Sequence, residues 1–494
     1  MKKYILAIDQ GTTSSRAILF DKESNIVASA SRPVELIYPH EGWVEANAKD
    51  IWISVINVIS EVLINADITW EEIDSIAITD QRETSIVWDR KTGKAVYNAI
   101  VWQSRQSSAI CESLSAKSSI IQNKTGLIIN PYFSASKIRF ILDSIDNGQK
   151  RAEAGELMFG TIDTWLIYNL TRGEKHLTDV TNASRTCLFN IKTLEWDKEL
   201  CSIFNIPMNM LPEVKENSCD YGAASFFHSD VHICGVAGDQ QASLFGHNCF
   251  NEGDCKNTYG TGCFMLMNIG NTPIISSGGL LTTVGWKING KPTYALEGSV
   301  YIGGAAIEWL KNSMKLIEKP SEVDERAVEV SSSDGVYVVP AFVGLGTPYW
   351  DDNVRGSIFG MTRATNKSHI IRATVEGIAY QSKDVFDVMV RDTCVNIRSL
   401  QVDGGATKCD TLMQFQSDIC NIEIKKPCCI ESTALGAAYF AGLYTGFWSS
   451  LQEIKKYHSY QKVFTPIMDA EEREKRCKGW KNAVKAAQTF KLGE

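Results

Sequence analysis

Residues 5–21 read ILAIDQGTTSSRAILFD. Residues 4–9 (YILAID) are apolar and β-favouring, the pattern of a buried strand. Residues 10–15 (QGTTSS) carry turn chemistry, and residues 16–21 (RAILFD) read as a second strand. The pair predicts a hairpin tipped with glycine, threonine and serine. The same strand, Gly/Thr turn, strand pattern returns in different letters at residues 256–268 (KNTYGTGCFMLMN). A Gly-rich turn follows a further strand at residues 399–407 (SLQVDGGAT). Between these marks strands and helices alternate. Residues 49–65 place Trp52, Val55, Ile56, Ile59, Val62 and Leu63 at helical spacing; residues 73–80 and 85–89 read as strands. Helical patterns run at 368–390 and 432–443, and the charged tail from about 465 is helical as well. The alternation predicts an α/β protein. Two halves that each carry a Gly/Thr hairpin predict a duplicated domain, 1–250 and 251–494, with the boundary near residues 246–256.

The composition fits that division. A chain of 494 residues is too long for one core and suits domains of ~150–200 residues. The net charge of −8 offers no basic excess to phosphates of DNA or RNA, so no nucleic-acid partner is expected. The 14 cysteines are spread over the chain without a CxxC pair, which predicts buried free thiols in a reducing compartment. The apolar run after Lys2 and Lys3 stops at Asp9, too early for a signal peptide. Residues 434–448 (ALGAAYFAGLYTGFW) fall short of the ~20 apolar residues that a membrane helix needs and read as a buried helix. These features predict a cytoplasmic protein without membrane insertion.

Several short patterns bear on chemistry. Residues 285–291 (GWKINGK) match the start of a P-loop, but Pro292 stands where a magnesium-holding hydroxyl is required and Asn289-Gly290 signals a hairpin turn. The tip DQGTTSSR is either an ordinary turn or a concavity of hydroxyl and amide donors that cradles a phosphate. In DQRET (80–84) the adjacent Arg82 and Glu83 point to opposite sides of an extended chain; at a strand end they could converge on one polar ligand, and a surface ion pair is the alternative. Asp239, in AGDQQ, stands at a strand-to-helix junction that suits a catalytic carboxylate or a helix N-cap. His228 and His232 are spaced for a metal pair only on a helix, and the segment 215–232 around them reads as a polar surface loop.

Taken together, the segments resemble the FGGY carbohydrate kinases, and within them the branch that phosphorylates glycerol. The resemblance runs nearly end to end, through residues 5–21, GWVEANAKDIW (42–52), ITDQRETSIVWDRKTGKAVYNAIVWQSR (78–105), TGLIINPYFSASK (125–137), FGTIDTWLIYNLT (159–171), LTDVTNASRT (177–186), VAGDQQASLFG (236–246), NTYGTGCFMLMN (257–268), GLGTPYWDDNVRG (344–356) and VDGGATKCDTLMQFQSDI (402–419). DQRET and the Pro131-Tyr132-Phe133 segment are its more specific parts, since they contact the acceptor in that branch. It implies the actin/hexokinase-like ATPase fold, two ribonuclease-H-like domains around a central cleft. It also implies transfer of the ATP γ-phosphoryl group to glycerol, with Mg²⁺ as cofactor, in a homo-oligomer (dimer or tetramer).

Carried over by position, the resemblance makes Arg82, Glu83, Tyr132, Asp239 and Gln240 glycerol ligands, with Trp102 and Phe264 as the apolar wall. Asp239 is then the general base, and Asp9 positions Mg²⁺ through water. Thr12, Thr13, Ser14 and Arg16 take the phosphates, and Thr261, Gly304 and Gly405 lie on the nucleotide side. Glu308 and Cys409 stand near the nucleotide where relatives often carry Gln and Asn, which implies weak discrimination among triphosphates.

Overall fold

The computed structural model describes residues 2–490. Met1 and the end of the predicted tail, 491–494, lie outside the described residues. Two sheets organise the chain. The first contains β1 (Tyr4–Gln10), β2 (Ser14–Phe20), β3 (Ile26–Pro33), β4 (Ile73–Asp80) and β5 (Ile233–Gly238), in the order β5-β4-β1-β2-β3. The second contains β6 (Cys255–Tyr259), β7 (Cys263–Asn268), β8 (Leu281–Ile288), β9 (Lys291–Val300), β10 (Ser399–Asp403), β11 (Glu423–Pro427) and β12 (Tyr460–Phe464), in the order β8-β9-β7-β6-β10-β11-β12.

The two sheets share one plan. In the first, β1, β2 and β3 form an antiparallel meander and β4 and β5 join β1 in parallel. In the second, β6, β7 and β9 form the meander and β10 and β11 join in parallel. The Gly/Thr turns predicted from sequence are the β1–β2 and β6–β7 connections, and the Gly-rich turn at 404–405 follows β10 directly.

β1 reads as a continuous apolar run because both of its faces are covered. Leu6 and Ile8 pack with Ile51, Val55 and Ile59 of α1 (Ala48–Ala66). Ile5 and Ala7 face the other way, into a core with Ala437 and Phe440. The α1 stripe is rotated from the predicted one: Ile51 and Val58 are buried, while Trp52 and Ile56 are only partly covered.

The helix α2 (Asp239–Gly246) lies against the apolar helix predicted near 434–448, here Ser432–Thr445. Their backbones touch. A Cβ on Gly436 would stand 1.8 Å from the Ala242 carbonyl, and one on Gly246 would stand 1.9 Å from that of Ser432. This contact of small residues fixes the axis that carries Asp239. No helix among the described residues is long and apolar enough to cross a membrane.

The 215–232 segment is more ordered than a surface loop. Asn217, Tyr221 and Val231 are buried, and the Asn217 carboxamide donates to Asp179 and to the Val236 carbonyl. Asn217 is polar for buried hydrogen bonding, while Asp220, Ser229, Asp230 and His232 are exposed as a surface loop requires. Asn289 and Gly290 both take positive φ and close the β8–β9 hairpin, so GWKINGK is a turn and not a phosphate loop.

Candidate active site

β4 ends at Asp80, and the next residues turn sharply under the cleft. Glu83 has φ 61°, and the Thr84 amide donates to the Arg82 carbonyl at 2.8 Å. A glutamate held in the left-handed region is strained by ~1–3 kcal/mol, and here the strain has a visible use. It swings Glu83 onto the side of Arg82, bringing Glu83 Oε1 to 3.9 Å from Arg82 Nε. The convergence that DQRET required is thereby achieved.

Arg82 also lies 3.2 Å, through Nε, from Oδ1 of Asp239 at the first position of α2. The Asp239 side chain is 31% exposed, enough to be reached by a ligand. Burial raises its pKa above the ordinary carboxylate range, against the pull of Arg82 and Lys256, while its own carboxylate accepts the Gln240 amide. Of the two sequence readings of Asp239, the helix N-cap does not hold: Gly238 occupies the cap and Asp239 is the first residue of α2, its carboxylate left reachable. Around this floor stand Trp102, Tyr132 and Phe264, with Trp102 ring-to-ring distances of 5.5 Å to Tyr132 and 6.3 Å to Phe264. The Trp102 indole donates to Thr12 Oγ1 at 2.9 Å and so ties the aromatic wall to the β1–β2 tip.

Three residues absent from the sequence reading complete the pocket. Arg185 donates through Nε to Glu83 at 2.5 Å and stacks over the Tyr132 and Phe133 rings. Glu297 accepts from Arg82 at 2.5 and 3.1 Å and from Arg185 at 2.9 Å. Lys256, wholly buried, donates to Gln240 Oε1 at 2.5 Å and Thr258 Oγ1 at 2.8 Å. Burial opposes the charge on Glu297, yet Arg185 and Arg82 hold its carboxyl down to about 2. For Glu83, burial outweighs the same two guanidiniums and the pKa is raised. Desolvation lowers the Lys256 pKa, with Asp403 and Asp239 opposing. Arg82, Arg185 and Lys256 thus balance Glu83, Glu297 and Asp239. The sequence carried no signal for these partners beyond charged letters inside strand patterns, Lys256 in KNTY and Glu297 in ALEGS.

The β1–β2 tip presents Thr12, Thr13 and Ser14 at the cleft edge, with Thr13 exposed. Arg16 is engaged in an ion pair: Nη1 lies 3.0 and 3.2 Å from the Glu431 carboxylate. Asp9, near the end of β1, is pushed up to about 7 by burial, with Arg16 lowering and Glu431 and Asp239 raising it.

On the other wall the β6–β7 tip sits against helix α3 (Gly304–Asn312), whose first amides close on it: Gly303 and Ala305 donate to the Thr261 carbonyl and Gly304 to that of Gly260. Gly404 packs on the base of this tip at φ 92°, where a Cβ would meet the Tyr259 carbonyl at 2.5 Å. Gly405 beside it faces open space. Gly404→Ala is therefore expected to lower unfolding stability by at least ~2 kcal/mol, from strain at positive φ plus a backbone clash, in a urea titration. An unchanged midpoint would contradict this packing.

Cys409 and Glu308 differ from their neighbours. The Cys409 thiol lies 3.2 Å from Asp324 Oδ1, and the same carboxylate takes the Asp410 and Thr411 amides. Glu308 is exposed and accepts from Asn312. Neither is drawn into the cluster around Asp239. His228 and His232 also stand apart; His232 Nδ1 contacts Asp220 at 2.9 Å, and His228 stacks on Trp70.

Known proteins resemble the chain over its whole length. The FGGY family of carbohydrate kinases, N-terminal domain, matches residues 4–246, and its C-terminal domain matches residues 255–444. The glycerol kinase of Bacillus cytotoxicus is 53% identical over 496 residues, which cover 99% of this chain and 100% of that protein. The crystal structure of Plasmodium falciparum glycerol kinase with ADP is similar with a TM-score of 0.93 at 40% identity, covering 99% of both chains. That of gluconate kinase from Lactobacillus acidophilus is similar with a TM-score of 0.88 at 25% identity, covering 99% of this chain and 98% of the other. The fold is the actin/hexokinase-like ATPase fold, as the repeated sheet plan requires. With both halves matched in order, the chain belongs to the FGGY family of carbohydrate kinases.

Proposed function

We propose that this enzyme transfers the γ-phosphoryl group of ATP to a terminal hydroxyl of glycerol, releasing sn-glycerol 3-phosphate and ADP. The observation that carries the reading is the acceptor pocket: Arg82, Glu83, Asp239 and Gln240 converge opposite the Trp102, Tyr132 and Phe264 rings. A small polyol has carbon on one side and hydroxyls on the other. Such a pocket meets the first with aromatic surface and the second with paired donors and acceptors. In this reading Asp239 accepts the proton of the attacking hydroxyl. Its raised pKa brings it nearer the operating pH, which suits a general base. Thr12, Thr13, Ser14 and Thr261 line the opposing tips and hold the phosphates; Gly405 leaves open space on the nucleotide side, and Gly304 lets helix α3 close on the Gly260 carbonyl beside it. Arg16 reaches the phosphates by leaving Glu431. Phosphoryl transfer asks little covalent chemistry of a protein, so positioning by these groups is the main contribution.

We assign Mg²⁺ to Asp9. The donor set fits: Asp9 offers a hard carboxylate oxygen near those of Glu431 and Asp239, and burial raises its carboxyl to about 7. A hard divalent ion that keeps part of its water shell supplies positive charge there, and when bound it offsets the charge of the phosphates. Cys409 and Glu308 are placed on the adenine side, with weak preference for ATP over other triphosphates as the consequence. Division near residue 250 is supported by the two family matches, and cytoplasmic residence by the free cysteines. A homo-oligomer, dimer or tetramer, is what the family resemblance implies for this chain.

Release of ADP over a panel of glycerol, dihydroxyacetone, erythritol, xylulose and ribulose tests the reading. Glycerol should exceed the pentuloses in kcat/KM by at least ~10²-fold, because a pocket of paired polar groups penalises a mismatched acceptor. Preference for a pentulose would overturn it.

A further inference from the structure

Glu297 and Lys256 belong to the second sheet, yet each grips an acceptor-pocket residue presented by elements of the first. Their placement follows from the register. Lys256 of β6 pairs with Leu266 of β7, and Leu266 pairs with Glu297 of β9, so the three form one row across the sheet. Residues directly opposite in a sheet share a face. The face is the one turned to the first half of the chain: Leu266 packs with Ala237, Phe245 and Phe440 in the core between the sheets. The row therefore offers a cation, an apolar contact and an anion in fixed order.

Hydrogen-bond capacity shows what the row does. Gln240 has one carbonyl oxygen and one amide group, and Lys256 takes the oxygen at 2.5 Å. Gln240 is left able to act toward a ligand as a donor. Arg82 has five N–H groups. Glu297 takes one from each terminal nitrogen, Gln241 accepts from Nη1 at 3.2 Å, and Nε faces Asp239. One N–H of Nη2 remains for the acceptor. Arg82 is thus restricted to one N–H and Gln240 to its amide N–H groups, each of set direction.

We propose that Glu297 and Lys256 are positioning residues that set acceptor recognition from the second sheet, Glu297 by orienting Arg82 and Lys256 by orienting Gln240. Acceptor affinity then depends on the two halves being packed together, since the row that aims the ligands comes from the other half. The proposal rests on the acceptor reading given above.

Steady-state kinetics of Glu297→Gln, Glu297→Asp, Lys256→Met, Gln240→Ala and the Lys256→Met/Gln240→Ala double variant test it. Glu297→Gln is expected to raise KM for glycerol at least ~20-fold and to leave KM for ATP within ~2-fold, as loss of a buried charged hydrogen bond at the acceptor implies. Glu297→Asp, which keeps the charge, should recover part of the glycerol KM. Lys256→Met should raise the glycerol KM alone and add less than ~2-fold in the Gln240→Ala background, the non-additivity expected of residues acting through one another. A fall in kcat at unchanged glycerol KM in Glu297→Gln, or additive effects of Lys256→Met and Gln240→Ala, would overturn the positioning role. If Glu297→Gln does not fold, the Lys256 and Gln240 cycle decides alone. Wild-type protein that transfers no phosphoryl group to glycerol would remove the acceptor reading instead, so the two failures are separable.

Discussion

Asp239→Asn should lower kcat by at least ~10²-fold while glycerol still binds with near wild-type affinity, the loss expected when a general base is removed from a positioned reaction. The substitution is isosteric, and Asn keeps an oxygen for the Gln240 amide that Asp239 now satisfies at 2.7 Å. It also keeps an acceptor for Arg82 Nε, 3.2 Å away. What it cannot do is take a proton from the attacking hydroxyl. The loss is specific to Asp239, because neither Arg82 beside it nor Lys256 nearby can replace it as a base. Arg82 is committed to its carboxylates, and Lys256 donates to Gln240 and Thr258. Turnover within tenfold of wild type would remove Asp239 from the chemical step.

Arg82→Ala should act on the fold as well as on the acceptor. Read from sequence, Arg82 is a ligand whose loss weakens glycerol by ~1–3 kcal/mol. The structure adds that it is the shared counter-charge of Glu297, Glu83 and Asp239 in a buried site. Removing one member of a buried ion cluster strands the others and destabilises a protein by ~3–5 kcal/mol. The variant should therefore show both a glycerol KM raised ten- to hundredfold and a lower urea midpoint. The pH dependence has a defined sign. The folded-state pKa of Glu297 is depressed from 4.5 to about 2, so its contribution to stability is complete above 4.5 and is lost as pH falls towards 2. The stability gap between wild type and variant should be widest near neutral pH and narrow through that acid window. A gap that widens on acidification would contradict the pairing.

Much of this was legible in the letters, and the boundary of legibility is physical. The two Gly/Thr tips could be read because a tight turn between buried strands demands those residue types at consecutive positions. Residues 80–84 and 237–241 could be read because strand ends, where polar side chains meet a cleft, interrupt apolar runs. Their convergence was not legible: the positive φ of Glu83, which puts it beside Arg82, has no signal in DQRET. Nor were Glu297 and Lys256 legible as a set, because register across non-adjacent strands brings them to the pocket, nor Arg185, which follows the short helix Val180–Ala183. The α1 stripe was misplaced by about one position, since Trp52 is apolar by type but sits at the rim of its helix face. Asn217, inside the 215–232 segment, read as surface for the complementary reason, that a buried asparagine with two acceptors in reach looks like a loop residue.

Phosphorus NMR of the wild-type enzyme with ATP, Mg²⁺ and glycerol tests the central claim most directly. The account predicts one new phosphomonoester, sn-glycerol 3-phosphate, growing in step with ADP, and no ADP formation when glycerol is left out. ADP accompanied by inorganic phosphate alone, or glycerol left unmodified while another acceptor in the panel is consumed, would contradict it.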